Sequence, residues 1–352
     1  MQECLAIRLS GNHIRQWRLI EAGESYLSVD GVPGEALLSP FTLTVVVPCL
    51  NEAPNVVPVY EEIVTELDQY DNLEILFVDD GSTDGTLDTI RSLAALDHRV
   101  SYLSFTRNFG LEAAFSAGYR YARNDWILHL DADLQFPPAE AHHLVVAAQA
   151  GYDAVFGIRV ARKDRWLRRF SSGATDFIAR RLLHIEIPRG ATSFRLVRSA
   201  LARRIVTLDV GTPYFLATVP RLTSAWTTVP TAHRARLRGA AKVTFRGLAK
   251  HVMGLFISYS DRPMAAVAVA ALIATVVCLA GAGCAVAGAY AAALTLLGLA
   301  GAVGFAAFAV AARYLVHIAR GHKSRPMYLI RETNVTVDAN DLLAPELAGA
   351  VR

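Results

Sequence analysis

Two aspartates separated by one residue are candidate ligands for a metal ion. The apolar stretch Trp126–Leu130 runs directly into the sequence DADLQ, in which Asp131, Asp133 and Gln135 alternate with apolar residues. In an extended or turning segment, side chains at positions i, i+2 and i+4 point the same way. The two carboxylates and the amide oxygen could then converge on one hard cation, Mg²⁺ or Mn²⁺, shared with substrate phosphates. The alternative is a turn that only caps the helix expected from Ala139.

A second polar segment, Asp79–Thr86 (DDGSTDGT), ends the apolar stretch Leu73–Val78. Its two glycines allow a tight turn and Asp84 could cap the next helix, so one interpretation is turn and cap chemistry alone. The functional interpretation gives Asp79 or Asp80 to a base N–H or a ribose hydroxyl. A dinucleotide-binding Rossmann site is disfavoured, because no GxGxxG follows the first strand, and the sequence also lacks a P-loop.

The residues that position these motifs alternate between strand and helix patterns, which predicts a doubly wound, largely parallel sheet. Ligands of such sheets bind at the carboxyl ends of the strands, and that is where the polar segments fall. The predicted strands are Thr42–Pro48, Leu73–Val78, Val100–Phe105, Trp126–Leu130 and Asp153–Phe156, and the predicted helices are Asn55–Leu67, Thr86–Leu96, Leu111–Arg123 and Ala139–Ala150.

The chain is also unusually apolar, with 53% hydrophobic and 19% charged residues, and the excess lies in Met264–Ala312, which contains no charged residue. A membrane-spanning helix needs about 20 apolar residues. We therefore expect a two-helix transmembrane hairpin, about 264–287 and 292–316, with its turn near Gly288–Ala291; a buried soluble hairpin is the alternative. Basic residues flank both ends, which predicts cytoplasmic termini. Since no ionisable residue lies inside, the hairpin should be an anchor.

Four segments, taken in this order, carry a resemblance to a known family. They are VVVPCLNE at 45–52, DDGSTDGT at 79–86, RNFG at 107–110 and DADLQFPP at 131–138. Together they resemble family 2 glycosyltransferases of the GT-A fold. The most similar branch is that of polyprenyl-phosphate sugar transferases, such as dolichyl-phosphate mannose synthases and bacterial undecaprenyl-phosphate glycosyltransferases. The resemblance extends from about Thr44 to Arg331.

The resemblance implies roles for individual residues. Those expected to line the nucleotide are Pro48, Asn51, Glu52, Asp79 and Asp80. Asp131, Asp133 and Gln135 would hold Mg²⁺ or Mn²⁺ on the donor diphosphate. A basic stretch from Arg159 to Arg169 would close over the phosphates, although by charge alone it could be a solvated face. The expected phosphate-binding residues are Arg159, Arg168, Ser172 and Lys242, and the expected catalytic residues are Asp131, Asp133, Arg168 and Arg195.

Three positions depart from the pattern of that branch. Ser193 stands where an acidic residue is common, Ala241 where serine is common and Leu50 where tyrosine is common. Donor choice, and any base at position 193, are therefore in doubt. A lipid phosphate is already an anion at neutral pH and can attack the anomeric carbon without a strong base, whereas a sugar hydroxyl would need one.

The resemblance and this chemistry together imply metal-dependent, inverting transfer of a sugar from a nucleotide sugar to polyprenyl phosphate at the bacterial plasma membrane. The alternatives are transfer to a sugar hydroxyl, or a non-catalytic membrane scaffold. The formal charge of +3 gives no support to nucleic-acid binding, and the sequence leaves sugar, base and oligomeric state open, although a homo-oligomer is compatible with it.

The sequence divides into five segments. They are an N-terminal extension at 1–40, a cytoplasmic catalytic domain at 41–235, a juxtamembrane segment at 236–262, the two transmembrane helices at 263–318 and a cytoplasmic tail at 319–352. In the juxtamembrane segment, Val243–Tyr259 has the pattern of an amphipathic helix at the membrane surface, and the alternative is an ordinary packing helix.

Overall fold

The computed structural model describes residues 5–6, 18–19, 41–159, 188, 190–208, 214–234, 262–321 and 327–343. The chain forms two compact units. One comprises Met1–Lys163, Pro188–Ala240 and Pro326–Arg352, and the other comprises Asp164–Ile187 and Ala241–Arg325. The predicted amphipathic helix at the membrane surface lies outside the described residues.

The first unit is built on an eight-stranded sheet. Its strands are β3 (Thr42–Cys49), β4 (Asp71–Asp79), β5 (Val100–Phe105), β6 (Trp126–His129), β7 (Ala154–Arg159), β8 (Ala191–Arg198), β9 (Trp226–Thr231) and β10 (Ile330–Thr333). Their order is β10-β5-β4-β3-β6-β8-β7-β9. The four central strands β5, β4, β3 and β6 run parallel, and β8 and β10 are antiparallel to their neighbours. In the N-terminal extension, β1 (Leu5–Ala6) pairs with β2 (Arg18–Leu19).

Helices cover both faces of this sheet, with one apolar core on each face. They are α1 (Ala53–Leu67), α2 (Thr86–Leu96), α3 (Leu111–Tyr121), α4 (Ala141–Gln149), α5 (Ser199–Val206) and α6 (Phe215–Leu222). Strand β3 is buried on both faces, which explains its continuous run of apolar residues. The expected doubly wound, mostly parallel sheet is therefore confirmed.

Most predicted elements are present, with shifted ends. The bounds of α2 and β5 agree with the prediction, but α3 ends at Tyr121 because the next backbone amides have tertiary partners. The amide of Arg123 donates to Glu74 Oε2 at 2.9 Å, and that of Asn124 to Thr44 Oγ1 at 3.3 Å. The helix predicted from Ala139 is divided into a 3₁₀ turn, Pro138–Glu140, and α4.

Three strands outside the parallel centre of the sheet were not predicted. Strand β8 lies between β6 and β7, and β9 pairs with β7 as far as Arg159, so β7 extends three residues beyond the predicted end. Strand β10 adds to β5 after the apolar region of the chain. Its Glu332 accepts a hydrogen bond from Arg91 Nε at 2.7 Å and one from the Tyr102 hydroxyl at 2.8 Å. Part of the predicted tail is therefore a strand of the eight-stranded sheet.

The second unit contains α7 (Arg262–Val286) and α8 (Tyr290–Gly321), joined by a three-residue turn in which Gly288 has φ 79°. The turn ends earlier than predicted, since Tyr290 and Ala291 already belong to α8. The spans Met264–Val286 and Tyr290–Val316 are long and apolar enough to cross a membrane, with mean hydropathies of 2.5 and 2.1.

The contact surface between α7 and α8 is made mainly of small residues. The buried side chains of α8 recur every seven residues, at Ala293, Ala300, Ala307 and Tyr314, which is the spacing of a left-handed helix pair. On α7, a Cβ added at Gly281 would lie 3.4 Å from the Ala293 carbonyl oxygen, so the helices approach closely there.

The turn after β4 requires glycine at position 81. Gly81 has φ +72°, and a Cβ there would overlap the backbone of Arg107, lying 2.7 Å from its Cα. Gly81→Ala should lower the free energy of unfolding by about 2 kcal/mol or more, since alanine is strained at this φ and the neighbour is backbone. Thermal unfolding of the purified protein in detergent would measure the loss.

Gly85→Ala is the matched control, because a Cβ at Gly85 would have its nearest neighbour 3.9 Å away and the residue has φ −76°. We expect its stability to stay within about 0.5 kcal/mol of the wild type. Equal stability of the two variants would contradict the close approach of the two loops.

Candidate active site

The predicted nucleotide-binding and metal-binding residues lie in, or directly next to, three loops at one edge of the sheet. Strands β4, β3 and β6 are adjacent and parallel, so the loops after Asp79, Cys49 and His129 leave the sheet at the same edge. Strand β8 runs antiparallel beside β6 and brings Ser193 to the same place. The sheet therefore gathers residues that are up to 144 positions apart in sequence, as the prediction from strand ends required.

The DADLQ segment is a tight turn with a fixed backbone. Leu134 has φ +53° although it is not glycine, and its side chain is buried. The amide of Leu134 donates to the Asp131 carbonyl at 3.4 Å, and that of Gln135 donates to Asp133 Oδ1 at 3.1 Å. Burial of Leu134 offsets the unfavourable left-handed backbone, so apolar packing holds the two acidic residues in one turn.

Each carboxylate oxygen of Asp131 has a polar side chain as its neighbour. Oδ2 accepts a hydrogen bond from the Ser193 hydroxyl, and Oδ1 lies 3.5 Å from Nε2 of His129. The side chain is 30% exposed. Partial burial by itself raises the pKa of Asp131, but the proximity of His129, the hydrogen bond from Ser193 and the charge of Arg195 outweigh it, and the net pKa lies below the usual value. Asp131 is therefore a carboxylate at neutral pH.

Gln135 has a partner that the sequence did not reveal. Its Oε1 lies 3.0 Å from Nε2 of His233, and its carbonyl accepts the Arg234 amide at 2.8 Å. The His233 ring packs edge-on against Phe136, with ring centroids 5.1 Å apart. An amide oxygen has two lone pairs, so Gln135 could accept from His233 and still offer an oxygen to a cation.

The loops after β3 and β4 are fastened to each other by Asn51 and Glu52. The Asn51 amide donates to Ser82 Oγ at 2.9 Å, and its side-chain oxygen accepts the Thr83 amide at 2.9 Å. The Glu52 amide donates to Thr86 Oγ1 at 2.9 Å. Both residues therefore have structural partners while their side chains remain at the surface or partly buried. The third predicted residue here, Pro48, is buried within β3.

Asp79 and Asp80 are both buried, and each has a distinct structural role. Asp79 accepts the Ser82 amide at 3.0 Å and the Ser104 hydroxyl at 2.8 Å, which closes the turn at the end of β4. Asp80 accepts the amides of Phe109 and Gly110 at 2.7 and 2.9 Å, which fixes the RNFG loop. Burial raises the pKa of Asp80 although both amides counteract it. The turn interpretation of this segment thus holds, and it does not preclude a nucleotide contact through the remaining lone pairs.

A cluster of buried polar side chains lies directly beneath Asp131, and the sequence identified only one of its members. Arg195, predicted to be catalytic, is 4% exposed, and its Nε donates to the Tyr119 hydroxyl at 2.7 Å. The hydroxyl lies 3.3 Å from Nδ1 of His129, which is fully buried. Burial and the nearby Arg195 charge lower the pKa of His129 to about 3, so the ring is neutral. The burial of Arg195 favours a supporting role over substrate contact.

Glu112, in the first turn of α3, belongs to the same region. Burial raises its pKa to about 7, although the charge of Arg195 acts in the opposite direction. Sequence patterns could not single out Glu112, Tyr119 or His129, because each lies in an otherwise ordinary helix or strand. Burial and contacts, which only the fold supplies, distinguish them.

Several predicted phosphate-binding residues cannot be placed. Arg168, Ser172 and Lys242 lie outside the described residues, and Arg159 ends β7 with a side chain that is likewise not described. Within the described part of the chain, no three residues of the types His, Cys, Asp and Glu cluster as a metal site. A cation at Asp131 and Asp133 would therefore draw its other ligands from amides, water or a bound phosphate, which is common for Mg²⁺.

The model of the protein family described as Glycosyl transferase family 2 matches residues 44–206, which include the three loops, the DADLQ turn and Ser193. The chain carries a family 2 glycosyltransferase domain. It is therefore a glycosyltransferase, as the four segments predicted, and its sheet is the doubly wound arrangement expected of a GT-A enzyme.

Known proteins similar to this glycosyltransferase include the glycosyltransferase CsbB of Bacillus subtilis (strain 168), with 28% identity over 305 residues that span 83% of this chain and 92% of that one. An undecaprenyl-phosphate 4-deoxy-4-formamido-L-arabinose transferase of Aeromonas hydrophila is 39% identical over 132 residues, 37% of this chain and 40% of that one. Glucosyl-3-phosphoglycerate synthase of Mycobacterium tuberculosis, crystallised with Mn²⁺ and UDP, has a TM-score of 0.49 and 20% identity, and covers 65% of this chain and 86% of its own. With its two apolar helices, this glycosyltransferase is membrane-associated.

The raised pKa of Glu112 predicts a pH-dependent stability of the glycosyltransferase. Because the folded-state pKa exceeds the unfolded value, the stabilising contribution is complete below about pH 4.5 and is lost as the pH rises toward 7. Glu112→Gln stays neutral, so at pH 8 it should be more stable than the wild type by up to roughly 3 kcal/mol. Melting temperatures in detergent at pH 5 and pH 8 would show this, and an equal fall in both proteins would contradict it.

Glu140→Gln is a control for which we expect the opposite change in stability at pH 8. Burial alone raises the pKa of Glu140, but hydrogen bonds from His143 and the Ala232 amide give a net lowering. Its carboxylate therefore stabilises the folded state above the unfolded pKa. Glu140→Gln should lower the melting temperature at pH 8, where Glu112→Gln raises it.

Proposed function

We propose that the glycosyltransferase moves a sugar from a nucleotide-sugar donor to polyprenyl phosphate at the bacterial plasma membrane, with inversion at the anomeric carbon. The observation that carries the proposal is the acidic turn at the open edge of the sheet, in a chain that also holds two apolar helices. The turn suits the diphosphate of a donor, and the helices suit an acceptor that resides in a membrane.

The donor set at the turn fits a divalent cation. Asp131 is ionised, Asp133 lies two residues away on a rigid turn, and Gln135 adds an amide oxygen, so all three ligands are hard oxygen donors. Mg²⁺ and Mn²⁺ prefer such ligands and commonly bind through one or two carboxylates together with phosphates. When bound, the cation would stabilise the negative charge that grows on the departing nucleoside diphosphate.

The protein's own residues would bind and orient the donor. Asn51 and Glu52 lie at the edge beside the turn, and the loops that carry them are joined by hydrogen bonds between backbone and side chain. Because these hydrogen bonds order the loops before a ligand binds, less conformational entropy is lost on binding. Asp80, through lone pairs not used by Phe109 and Gly110, would accept a hydrogen bond from the base or ribose.

The acceptor is inferred from the chemistry of position 193. Where the branch carries an acidic residue, this chain has Ser193, whose hydroxyl donates to Asp131 and therefore offers no base. A polyprenyl phosphate needs none, because its oxygen is already anionic. Similarity to an undecaprenyl-phosphate sugar transferase supports the same acceptor. A single displacement then gives a β-linked lipid phosphosugar from an α-linked donor.

A direct assay tests this proposal. The full chain in lipid vesicles is incubated with undecaprenyl phosphate and a panel of UDP-, GDP- and dTDP-sugars, with Mn²⁺, with Mg²⁺ or with EDTA. We expect sugar transfer from one of these donors, and we expect EDTA to abolish that transfer. Asp133→Asn should reduce the rate at least about 100-fold, while Asp88→Asn, on the exposed side of α2, should retain it.

Each other result rejects a defined part of the proposal. Undiminished transfer in EDTA would exclude the metal, and transfer to sugar hydroxyls alone would exclude the lipid phosphate. Retained anomeric configuration, read from proton coupling constants of the product, would exclude a single displacement. If none of these donors gave transfer, the non-catalytic scaffold would be favoured.

We further propose that the catalytic domain and both termini are cytoplasmic, because the chain on each side of the hairpin belongs to the same unit. Strand β9 precedes α7 and β10 follows α8, yet both lie in one sheet. An even number of crossings is then required, which agrees with the basic flanks.

Thiol labelling in intact cells tests this orientation. A membrane-impermeant maleimide should label Ala289→Cys, in the turn between α7 and α8, and should label Asp338→Cys, an exposed residue after β10, only after the cells are opened. Labelling of Asp338→Cys in intact cells would reverse the orientation.

A further inference from the structure

Three buried polar atoms beneath the acidic turn lack a hydrogen-bond partner among the described residues. They are Oε2 of Glu112, Nε2 of His129 and Nη2 of Arg195. Nearly all buried polar groups in folded proteins are hydrogen-bonded, so a cluster of exceptions calls for a physical explanation. The His129 nitrogen is informative because it faces Oδ1 of Asp131 at 3.5 Å.

Strand pairing arranges these residues in two layers. His129 on β6 lies directly opposite Arg195 on β8. Asp131 and Ser193 come two positions further toward the open edge and touch each other. Because alternate residues of a strand share a face, the partly exposed Asp131–Ser193 pair lies above the buried His129–Arg195 pair.

The hydrogen bonds among the buried residues of the lower layer have a defined direction from donor to acceptor. Arginine only donates, so the Tyr119 hydroxyl oxygen accepts from Arg195 Nε at 2.7 Å. The hydroxyl proton is then available to Nδ1 of His129, 3.3 Å away. A neutral imidazole that accepts at Nδ1 carries its proton on Nε2. The inferred tautomer, protonated on Nε2, therefore directs an N–H at Asp131. The tautomer protonated on Nδ1 would instead direct a nitrogen lone pair at the carboxylate.

From this we propose that Arg195, Tyr119 and His129 form a directional hydrogen-bond chain that orients the Asp131 carboxylate for the divalent cation. The inference rests on the metal site proposed above. Ser193 donates to Oδ2 and His129 would donate to Oδ1, so both oxygens are held and their remaining lone pairs face the open edge. Tyr119 and His129 are thus positioning residues, because they act through Asp131.

Aromatic rings hold the start of the chain in place. The Arg195 guanidinium carbon lies 5.1 Å from the Phe115 ring centre and 5.0 Å from that of Phe215, within the range of cation–π attraction. Tyr119 packs edge-on against Phe215, with centroids 4.5 Å apart. The cation and the phenol therefore have little freedom to turn, and the direction of the chain is maintained.

Mn²⁺ affinity without turnover is the direct test. Tyr119→Phe removes the hydroxyl but keeps the ring, so we expect the dissociation constant for Mn²⁺ alone to rise about tenfold, as loss of a partner that orients a ligand does elsewhere. Electron paramagnetic resonance of free Mn²⁺, titrated against the full chain in detergent, measures it. Tyr60→Phe is the matched control, because the Tyr60 hydroxyl lies on α1 and donates to Asp97 at 2.7 Å, away from this cluster. The Mn²⁺ affinity of this variant should equal that of the wild type.

A second pair of variants separates orientation from general destabilisation. Glutamine at position 129 has an amide N–H and no tautomers, so His129→Gln should make Mn²⁺ affinity insensitive to Tyr119→Phe. Folding of every variant is checked by its melting temperature. An equal loss of affinity from Tyr119→Phe in both backgrounds would indicate a merely structural effect and would overturn the chain.

The remaining outcomes distinguish this inference from the function on which it rests. If the wild type and Asp131→Asn bind Mn²⁺ alike, the proposed metal site itself is wrong. If Asp131→Asn loses affinity while folded Tyr119→Phe binds as the wild type does, the metal site stands and the hydrogen-bond chain is rejected.

Discussion

The site depends on keeping one ionised carboxylate in a single orientation where it is only partly covered by protein. Asp131 is 30% exposed, and its two oxygens have polar neighbours, the Ser193 hydroxyl at Oδ2 and Nε2 of His129 at Oδ1. His129 lies two residues before Asp131, at the end of β6, and the Ser193 contact exists because β8 runs antiparallel beside that strand. A parallel strand would enter from the opposite edge and place other residues there. The antiparallel strand within a mostly parallel sheet is thus the feature that completes the acidic turn.

The acidic residues of the edge divide into those that build it and those left to face a ligand. Asp79 and Asp80 are buried, and the hydrogen bonds that they accept stabilise the turn after β4 and the RNFG loop. Asp131 and Asp133 are less enclosed, and the turn that carries them is stabilised by the burial of Leu134, which has a positive φ. Carboxylates that look alike in sequence therefore serve different purposes, and burial tells them apart.

The sequence predicted the parallel centre of the sheet because its strands are apolar on both faces and end in polar segments. It did not predict β8, β9 or β10, where polar residues such as Arg195 and Glu332 occupy positions satisfied only by distant partners. The same limit applied to the site. DADLQ was visible as a local pattern, whereas Tyr119, His129 and His233 gain significance only from contacts across the fold. Ser193 was noticed as a departure, but its bond to Asp131 needed the pairing of β6 with β8.

The position of β10 has a consequence for biogenesis. The outer edge of β5 is covered by residues 330–333, which leave the ribosome only after both apolar helices have been made. Until then β5 presents an unpaired edge, the kind that invites association with other chains. Completion of the sheet is thereby coupled to synthesis of the two apolar helices, and a nascent chain truncated before β10 would be left with an unpaired sheet edge that favours aggregation.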